Sequence, residues 1–284
     1  MHLRIFHRTR YVYRTAVSQS HNELRFRPAS DNPRRLKFFL LKVEPPSRLR
    51  HFRDEHYNYV HWFEIPEPHQ ELLIEASMVI QTTSPYANGE PMGILLDSLK
   101  GGVDELISPF LLPSRYVSLD PEVWRLAVDI RQDRQDIFET ALAIMHHVHD
   151  HWEYAPNTTH AATHLKDVMA TRQGVCQDFA HLMIGLLRSL GIPARYVSGY
   201  LFNGPGAHLR GAQASHAWCE VWLPGSGWFG LDPTNATLAD DRHVKIATGR
   251  DYDDAAPISG TMSGPPNATA RLEVTVRVEE ATMG

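Results

Sequence analysis

The stretch Gly174-Val175-Cys176-Gln177-Asp178-Phe179-Ala180-His181 runs directly into an apolar helical pattern carried by Phe179, Leu182, Met183, Leu186, Leu187 and Leu190. A cysteine at the start of a helix is a distinct chemical situation. The first backbone N–H groups there have no intrahelical partner, and the helix dipole is positive at that end. Both effects favour a thiolate over a thiol. Gly174 lets the chain bend just before the helix and leaves the sulfur accessible. The same N–H groups, that of Cys176 included, are suited to hold a developing oxyanion. Gly191 is a stop signal for this helix, and Pro193 forbids its continuation.

Two later segments complete a nucleophile set. One is Ser215-His216-Ala217-Trp218, and the other is Gly230-Leu231-Asp232-Pro233-Thr234. Runs from His216 to Leu223 and from Trp228 to Leu231 read as neighbouring strands, with Gly225 and Gly227 in the turn between them. A thiol at a helix start, a histidine on a strand and an aspartate at a strand end are the parts of a Cys-His-Asp triad. In that reading His216 shares the thiol proton and later protonates the leaving amine, while Asp232 fixes the imidazole tautomer. The strand period puts His216 and Trp218 on one face and Cys219 on the other. Cys219 is therefore not expected to act as a second nucleophile or to pair with Cys176.

Upstream, residues 1 to about 85 read as strands without intervening helices. Ile5 to Ala16, Glu23 to Pro28, Leu36 to Val43, Tyr57 to Ile65 and Leu72 to Gln81 alternate or carry β-branched and aromatic residues. Pro28, Asp31-Asn32-Pro33, Pro45-Pro46, Pro66 and Pro68 punctuate them. This predicts an all-β, sandwich-like N-terminal domain over 1–85. A connector with breakers at Ser84-Pro85 and Gly101-Gly102 follows over 86–118, and a catalytic domain is expected over 119–284.

That second domain opens with helices. Asp120-Pro121-Glu122 is a helix start, and further helices are expected from about Gln135 to Asp150 and around His164 to Ala170, the latter after the Thr158-Thr159 region. Strands then follow, adding Ala194 to Leu201 to the two already named. Helices first and strands afterwards make the fold class α+β, with helices packed on an antiparallel sheet. A last alternating run, Arg271 to Val278, is expected to return as another strand of that sheet.

Composition excludes several functions. A net charge of -5 gives no reason to expect nucleic acid or an anionic membrane as partner. No apolar run approaches the ~18–20 residues of a membrane span. The segment Met1-His2-Leu3-Arg4-Ile5-Phe6-His7-Arg8 lacks the apolar centre of a signal peptide, and two cysteines make no disulfide framework. A cytoplasmic location is expected, since a reducing compartment keeps a catalytic thiol usable.

Other clusters admit a second reading. His147 and His151, within the group His146, His147, His149 and His151, have the i,i+4 spacing of a helical metal pair. No glutamate lies between them as in HExxH, and an exposed polar helix end explains the cluster equally well. No metal or other cofactor is expected. Trp152 and Tyr154 either pack on the sheet or wall an active-site cleft, with the Tyr154 hydroxyl near the thiol. Gln177 and Asp178 either orient substrate or cap the helix start. The Asp232-Pro233-Thr234-Asn235 turn can also cap a strand end with no catalytic role.

Four ordered blocks carry a resemblance. They are Arg172 to Ala180, Leu187 to Tyr200 (which includes Gly191-Ile192-Pro193-Ala194-Arg195), Ser215 to Trp218, and Gly227 to Asn235. On these the chain resembles the transglutaminase-like superfamily of papain-like cysteine enzymes. The tail Gly249-Arg250-Asp251-Tyr252-Asp253-Asp254-Ala255-Ala256-Pro257-Ile258-Ser259-Gly260 is similar to the bacterial subgroup, in which a β-rich region precedes the catalytic domain. The resemblance implies Cys176 as nucleophile, His216 as base and Asp232 as orienting acid. Animal transglutaminases commonly place tryptophan after the nucleophile, where this chain has Gln177, and neither an extended calcium-binding region nor trailing β-barrels follow. Protein cross-linking of that kind is not implied. Bacterial relatives are often viewed as cysteine proteases or amide hydrolases.

The expectation is therefore a cysteine-dependent acyl-transfer enzyme acting on a peptide, amide or isopeptide bond, with hydrolysis favoured. Tyr154 and Gln177 are candidates for binding substrate or its oxyanion. The alternatives are a non-catalytic scaffold that keeps the fold and a metal-dependent hydrolase using the histidine cluster.

Overall fold

The computed structural model describes residues 1–281 except 30–33, 88, 157–162, 205–208, 212–214 and 266–267. The Asp31-Asn32-Pro33 turn and the Thr158-Thr159 region lie outside the described residues.

One strand organises the first unit. β1 (His2–Arg27) is a single strand of 26 residues. The sequence reads it as two, Ile5 to Ala16 and Glu23 to Pro28. The ladder instead continues round a bend, where the register shifts between Val12 and Val17 and Gln19 adopts φ 49°. Such irregularities turn a strand without ending it. Before the bend β1 pairs with β5 (His69–Thr82), and β5 pairs with β2 (Arg34–Glu44). After it, β1 pairs with β4 (Tyr59–Ile65), and β4 with β3 (Arg50–Arg53), a short exposed strand the sequence pattern does not announce. Leu3, Ile5 and Ile74 from one arm meet Leu24, Phe26 and Phe63 from the other in one core. A strand that switches layers at a bend is how orthogonally packed sheets make a corner.

The connector contains two short 3₁₀ turns, Leu96–Leu99 and Ser108–Leu111. It lies against the second unit: Tyr86 donates its hydroxyl to the Gly230 carbonyl at 2.6 Å, and the Leu112 carbonyl accepts from Arg188 at 2.9 Å.

The second unit is α+β. Its helices are α1 (Pro121–Arg131), α2 (Ile137–His151), α3 (Leu165–Thr171) and α4 (Cys176–Ser189). Asp136 caps α2 by accepting from the Glu139 N–H at 2.8 Å. At α1, Pro121 is the first residue as expected, but the Asp120 carboxylate bonds Ser118 rather than the helix. Between these helices, β6 (Glu153–Tyr154) and β7 (Gln173–Gly174) form a two-residue parallel pair that holds Tyr154 beside Gly174. Helix α4 is buried almost all round, which marks it as the core helix of the unit. It ends where Gly191 takes φ 75°.

Helix α4 packs on an antiparallel sheet ordered β11-β10-β9-β8-β12. The strands are β8 (Ala194–Leu201), β9 (His216–Leu223), β10 (Gly227–Asp232), β11 (Thr237–Leu238) and β12 (His243–Gly249). A one-turn helix, α5 (Tyr252–Ala255), follows.

The last two strands correct the sequence reading. β13 (Ile258–Ser263) and β14 (Ala270–Glu280) both pair with β1, on opposite sides of its bend. The Arg271 to Val278 run therefore joins the first sheet, not that of the second unit. The edge beside β8 is already taken by β12, and Val276 and Val278 pack against the first core. Residues 258–280, which the sequence groups with 119–284, return to the first unit. No helix among the described residues is long and apolar enough to cross a membrane.

Candidate active site

Cys176 is the first residue of α4 and is 8% exposed. The entry into the helix is held from below. Asp178 accepts the Val175 N–H at 2.8 Å. Gly174 makes room for that carboxylate: a Cβ there would lie 2.6 Å from Asp178 Cβ. The glycine thus serves close packing rather than access to the sulfur, and Asp178 is the capping residue of the pair Gln177-Asp178.

Gln177 turns the other way. Its side chain interacts with the hydroxyls of Tyr196 and Tyr252. Tyr154, half-buried, meets Phe179 edge-on at 6.3 Å. Its phenol is pushed up to about 12 by burial and then by the neighbouring Cys176 charge. Trp152 is core, donating its indole N–H to the Val168 carbonyl at 3.0 Å.

His216 opens β9 and Asp232 closes β10. The His216 Nε2 and Asp232 Oδ2 atoms are 2.8 Å apart, with both side chains fully buried. Burial alone would lower the His216 pKa, but the charge and hydrogen bond of Asp232, followed by the Cys176 thiol, raise it. Burial likewise works against the Asp232 charge, yet His216 and then His243 hold this carboxyl well below the usual carboxylate range. His216 Nδ1 forms no well-formed hydrogen bond, so it is the nitrogen left for the thiol.

Asp232 combines the two readings the sequence left open. Its Oδ1 accepts the Thr234 N–H at 2.9 Å and the Asn235 N–H at 3.3 Å, closing the turn. Its Oδ2 faces His216 and also accepts from Asn235 Nδ2 at 2.8 Å. The turn orients the carboxylate that orients the imidazole.

Three further residues were not singled out in the sequence. His243 Nε2 lies 3.3 Å from Asp232 Oδ2, and its Nδ1 lies 3.2 Å from Asp240 Oδ1. Gly211, at φ 82°, packs over the His216 ring: a Cβ there would lie 2.4 Å from His216 Nδ1. An aspartate in a turn and a histidine three residues later at the first position of β12 carry no periodic signal. Gly211 had a sequence cue only in being a glycine in a loop.

Cys176, His216, Tyr154 and Gln177 line one cleft of about 430 Å³, and Asp232 lies buried behind His216. The opposite wall comes from the first unit, through His7, Thr9 and Tyr11 of β1 and Leu272 and Val274 of β14. Cys219 is on the helix-facing side of β9, fully buried, where burial drives its thiol pKa up.

The rings of His147 and His151 stack at 4.0 Å, and His151 Nδ1 bonds the His147 carbonyl at 2.9 Å. His149 Nδ1 bonds the Thr234 carbonyl at 3.1 Å.

Comparison with known proteins follows the same division. The profile of the transglutaminase-like superfamily matches residues 125–233, and that of the bacterial transglutaminase-like N-terminal region matches residues 3–81. An uncharacterized protein of Mycobacterium leprae is 31% identical over 281 residues, covering 97% of this chain and 98% of its own length. A protein-glutamine gamma-glutamyltransferase of Pseudomonas aeruginosa is 46% identical over 68 residues, 22% of this chain and 10% of that one. A crystal structure from Cytophaga hutchinsonii, described as a "putative cysteine protease", superposes with TM-score 0.76 at 25% identity, covering 100% of this chain and 92% of its own. The chain belongs to the transglutaminase-like superfamily, with the N-terminal region found in its bacterial branch.

Proposed function

We propose that the protein is a cysteine-dependent acyl-transfer enzyme that opens an amide, peptide or isopeptide bond through a thioester. The family and its cysteine-protease-like neighbour support cysteine-dependent catalysis in the broad sense. The observation that carries the finer reading is the buried His216–Asp232 pair at 2.8 Å, with the free ring nitrogen towards Cys176 in an open cleft.

The chemistry runs as follows. Cys176 Sγ attacks the carbonyl carbon while His216 Nδ1 holds the thiol proton. The unpaired N–H groups at the start of α4 face the developing oxyanion. The C–N bond breaks, His216 delivers its proton to the leaving nitrogen, and a thioester remains on Cys176. Water then attacks the thioester, His216 takes the proton from it, and the acid leaves as the thiol is restored. Asp232, fully buried and bonded to Nε2, keeps the imidazole in the tautomer both steps require.

Water is the favoured acceptor, because the sequence shows no amine-binding site. The short stretch shared with a glutamyltransferase supports an amine acceptor as the second reading. We further infer a reducing, cytoplasmic setting, in which both free cysteines stay thiols.

The deciding experiment is trapping of an acyl-enzyme from a library of peptides and primary amides, with the adduct mapped by mass spectrometry. A thioester on Cys176 that is absent in Cys176→Ala is expected. Adding a primary amine then separates acid from amide product. Failure of every peptide and amide to acylate Cys176 would leave the scaffold reading in its place.

A further inference from the structure

We propose that the β1–β14 face of the first unit is a substrate subsite that seats an uncharged, apolar side chain next to the scissile amide. This rests on the reading of Cys176 as the nucleophile and names what that site accepts.

The argument starts from strand alternation. β1 and β14 pair with Tyr11 opposite Leu272, Thr9 opposite Val274 and His7 opposite Val276. Residues directly opposite in an antiparallel pair point to the same side of the sheet. His7, Thr9, Tyr11, Leu272 and Val274 all line the cleft that holds Cys176. The intervening residues point away, and they carry the charge. Arg10 bonds Glu71 at 2.6 Å and Glu273 at 3.4 Å, and Arg8 lies 3.8 Å from Glu75. Period-two alternation thus sorts every ion pair of this strand pair onto the far face and leaves the cleft face neutral.

The ionisable groups that β1 turns towards the cleft, His7 and Tyr11, are kept uncharged. His7 has both ring nitrogens engaged, by Thr9 Oγ1 and by the Tyr200 hydroxyl, each at 2.8 Å. Burial lowers its pKa to about 4. Burial pushes the Tyr11 phenol up to about 12. Among the described residues no Asp, Glu, Lys or Arg lines the cleft. A charged side chain laid against the β1–β14 face would be desolvated with no opposite charge on that face to receive it.

Leu272 and Val274 supply the apolar contact. They lie on the inward face of the sheet, yet are 55% and 45% exposed. Their side chains form a lip continuous with the cleft instead of filling the core. A side chain laid against this lip removes apolar surface of both partners from water. The cleft, at about 430 Å³, has the size of a small-ligand or side-chain pocket.

The test uses matched peptides that differ only beside the reacting amide, carrying Leu, Phe, Glu or Lys there. Acylation of wild type is compared with Val274→Glu and Val274→Lys, which change an exposed side chain and leave the core intact. Binding of the same peptides to Cys176→Ala is measured by fluorescence anisotropy. Wild type is expected to prefer Leu and Phe by about tenfold or more. Val274→Lys is expected to shift preference towards Glu, and Val274→Glu towards Lys, each preference being a ratio of rates within one protein. Equal rates for all four peptides, or variants with the wild-type order of preference, would overturn the subsite and leave the nucleophile standing. Selective binding to Cys176→Ala with no acyl-enzyme from wild type would do the reverse. Neither selective binding nor acylation removes both.

Discussion

His243 Nε2 and His216 Nε2 converge on one oxygen, Oδ2 of Asp232, at 3.3 and 2.8 Å. Two imidazoles and the Asn235 amide therefore hold a carboxylate that has no exposure to solvent. Asp240 fixes the second imidazole from its other side, and Arg242 pairs with Asp240 at 2.8 Å. The arrangement makes His243 a positioning residue for the His216–Asp232 pair. His243→Gln is expected to slow acylation by about ten- to a hundredfold, the scale on which small misplacements act. The readout that separates positioning from folding is the pH profile of Cys176 alkylation. It should shift in His243→Gln while the circular dichroism spectrum and the melting temperature stay close to wild type. An unshifted profile with unchanged rates would remove His243 from the site.

The two cysteines should separate cleanly. Cys219 is fully buried on the helix side of β9, whereas Cys176 lines the cleft. Cys219→Ser is expected to keep acylation and rapid alkylation, with some loss of stability from placing a hydroxyl in an apolar core. Cys176→Ala should abolish both reactions. Mass spectrometry of iodoacetamide-treated wild type at pH 6 should find a single adduct, on Cys176. Equal labelling of the two thiols would contradict the burial of Cys219.

Acid should destabilise the fold through His7. An unfolded histidine takes up its proton near pH 6.5, whereas burial holds folded His7 at about 4. Between those values the unfolded chain binds more protons, so stability falls as pH drops from 6.5 towards 4 and levels off below. At pH 5 the share of His7 is about 2 kcal/mol. Burial also lowers His61 to about 4 and His181 to about 3, and both act in the same direction. Denaturant titrations at pH 7 and pH 5 should show the wild-type loss, and His7→Gln should show a smaller one. An identical pH dependence in the two proteins would refute the assignment.

Gly211 should be intolerant of a side chain for two independent reasons. Its φ of 82° disfavours any L-residue, at about 1–2 kcal/mol. A Cβ would also stand 2.4 Å from His216 Nδ1, the nitrogen that faces the thiol. Gly211→Ala is expected to lower kcat by about a hundredfold, since the added Cβ displaces the ring. Steady-state kinetics on any substrate found by acyl-enzyme trapping would show it. Unchanged kcat would mean the loop yields instead of the ring.

What the sequence disclosed was what local chemistry writes down. The start of α4 at Cys176 and its stop at Gly191 are marked by residues adjacent in the chain. Periodicity placed His216 and Cys219 on opposite faces of β9 for the same reason. Five residues named from sequence (Cys176, His216, Asp232, Tyr154 and Gln177) are gathered in or directly behind one cleft. The misses have a common cause in distance. Alternation identifies Arg271 to Val278 as a strand, but nothing in it says which sheet has a vacant edge. His243 acquires meaning only when β12 aligns beside β8 and brings it to Asp232. The continuity of β1 depends on Gln19 accepting a backbone conformation usually left to glycine.

The pairing of β1 with β14 has a consequence for how the protein is made. Leu3 lies opposite Glu280, and Tyr13 opposite Ala270. During synthesis the first strand leaves the ribosome hundreds of residues before the partner that forms the lip of the cleft. The helix bearing Cys176 and the strands bearing His216 and Asp232 are all complete by then. Non-local pairings of this kind are slow to form, because a long loop must close before they reward the chain. On the proposed reading, the segments carrying the candidate nucleophile are thus synthesised ahead of the strand that completes the cleft wall, and β1 waits longest for its last partner.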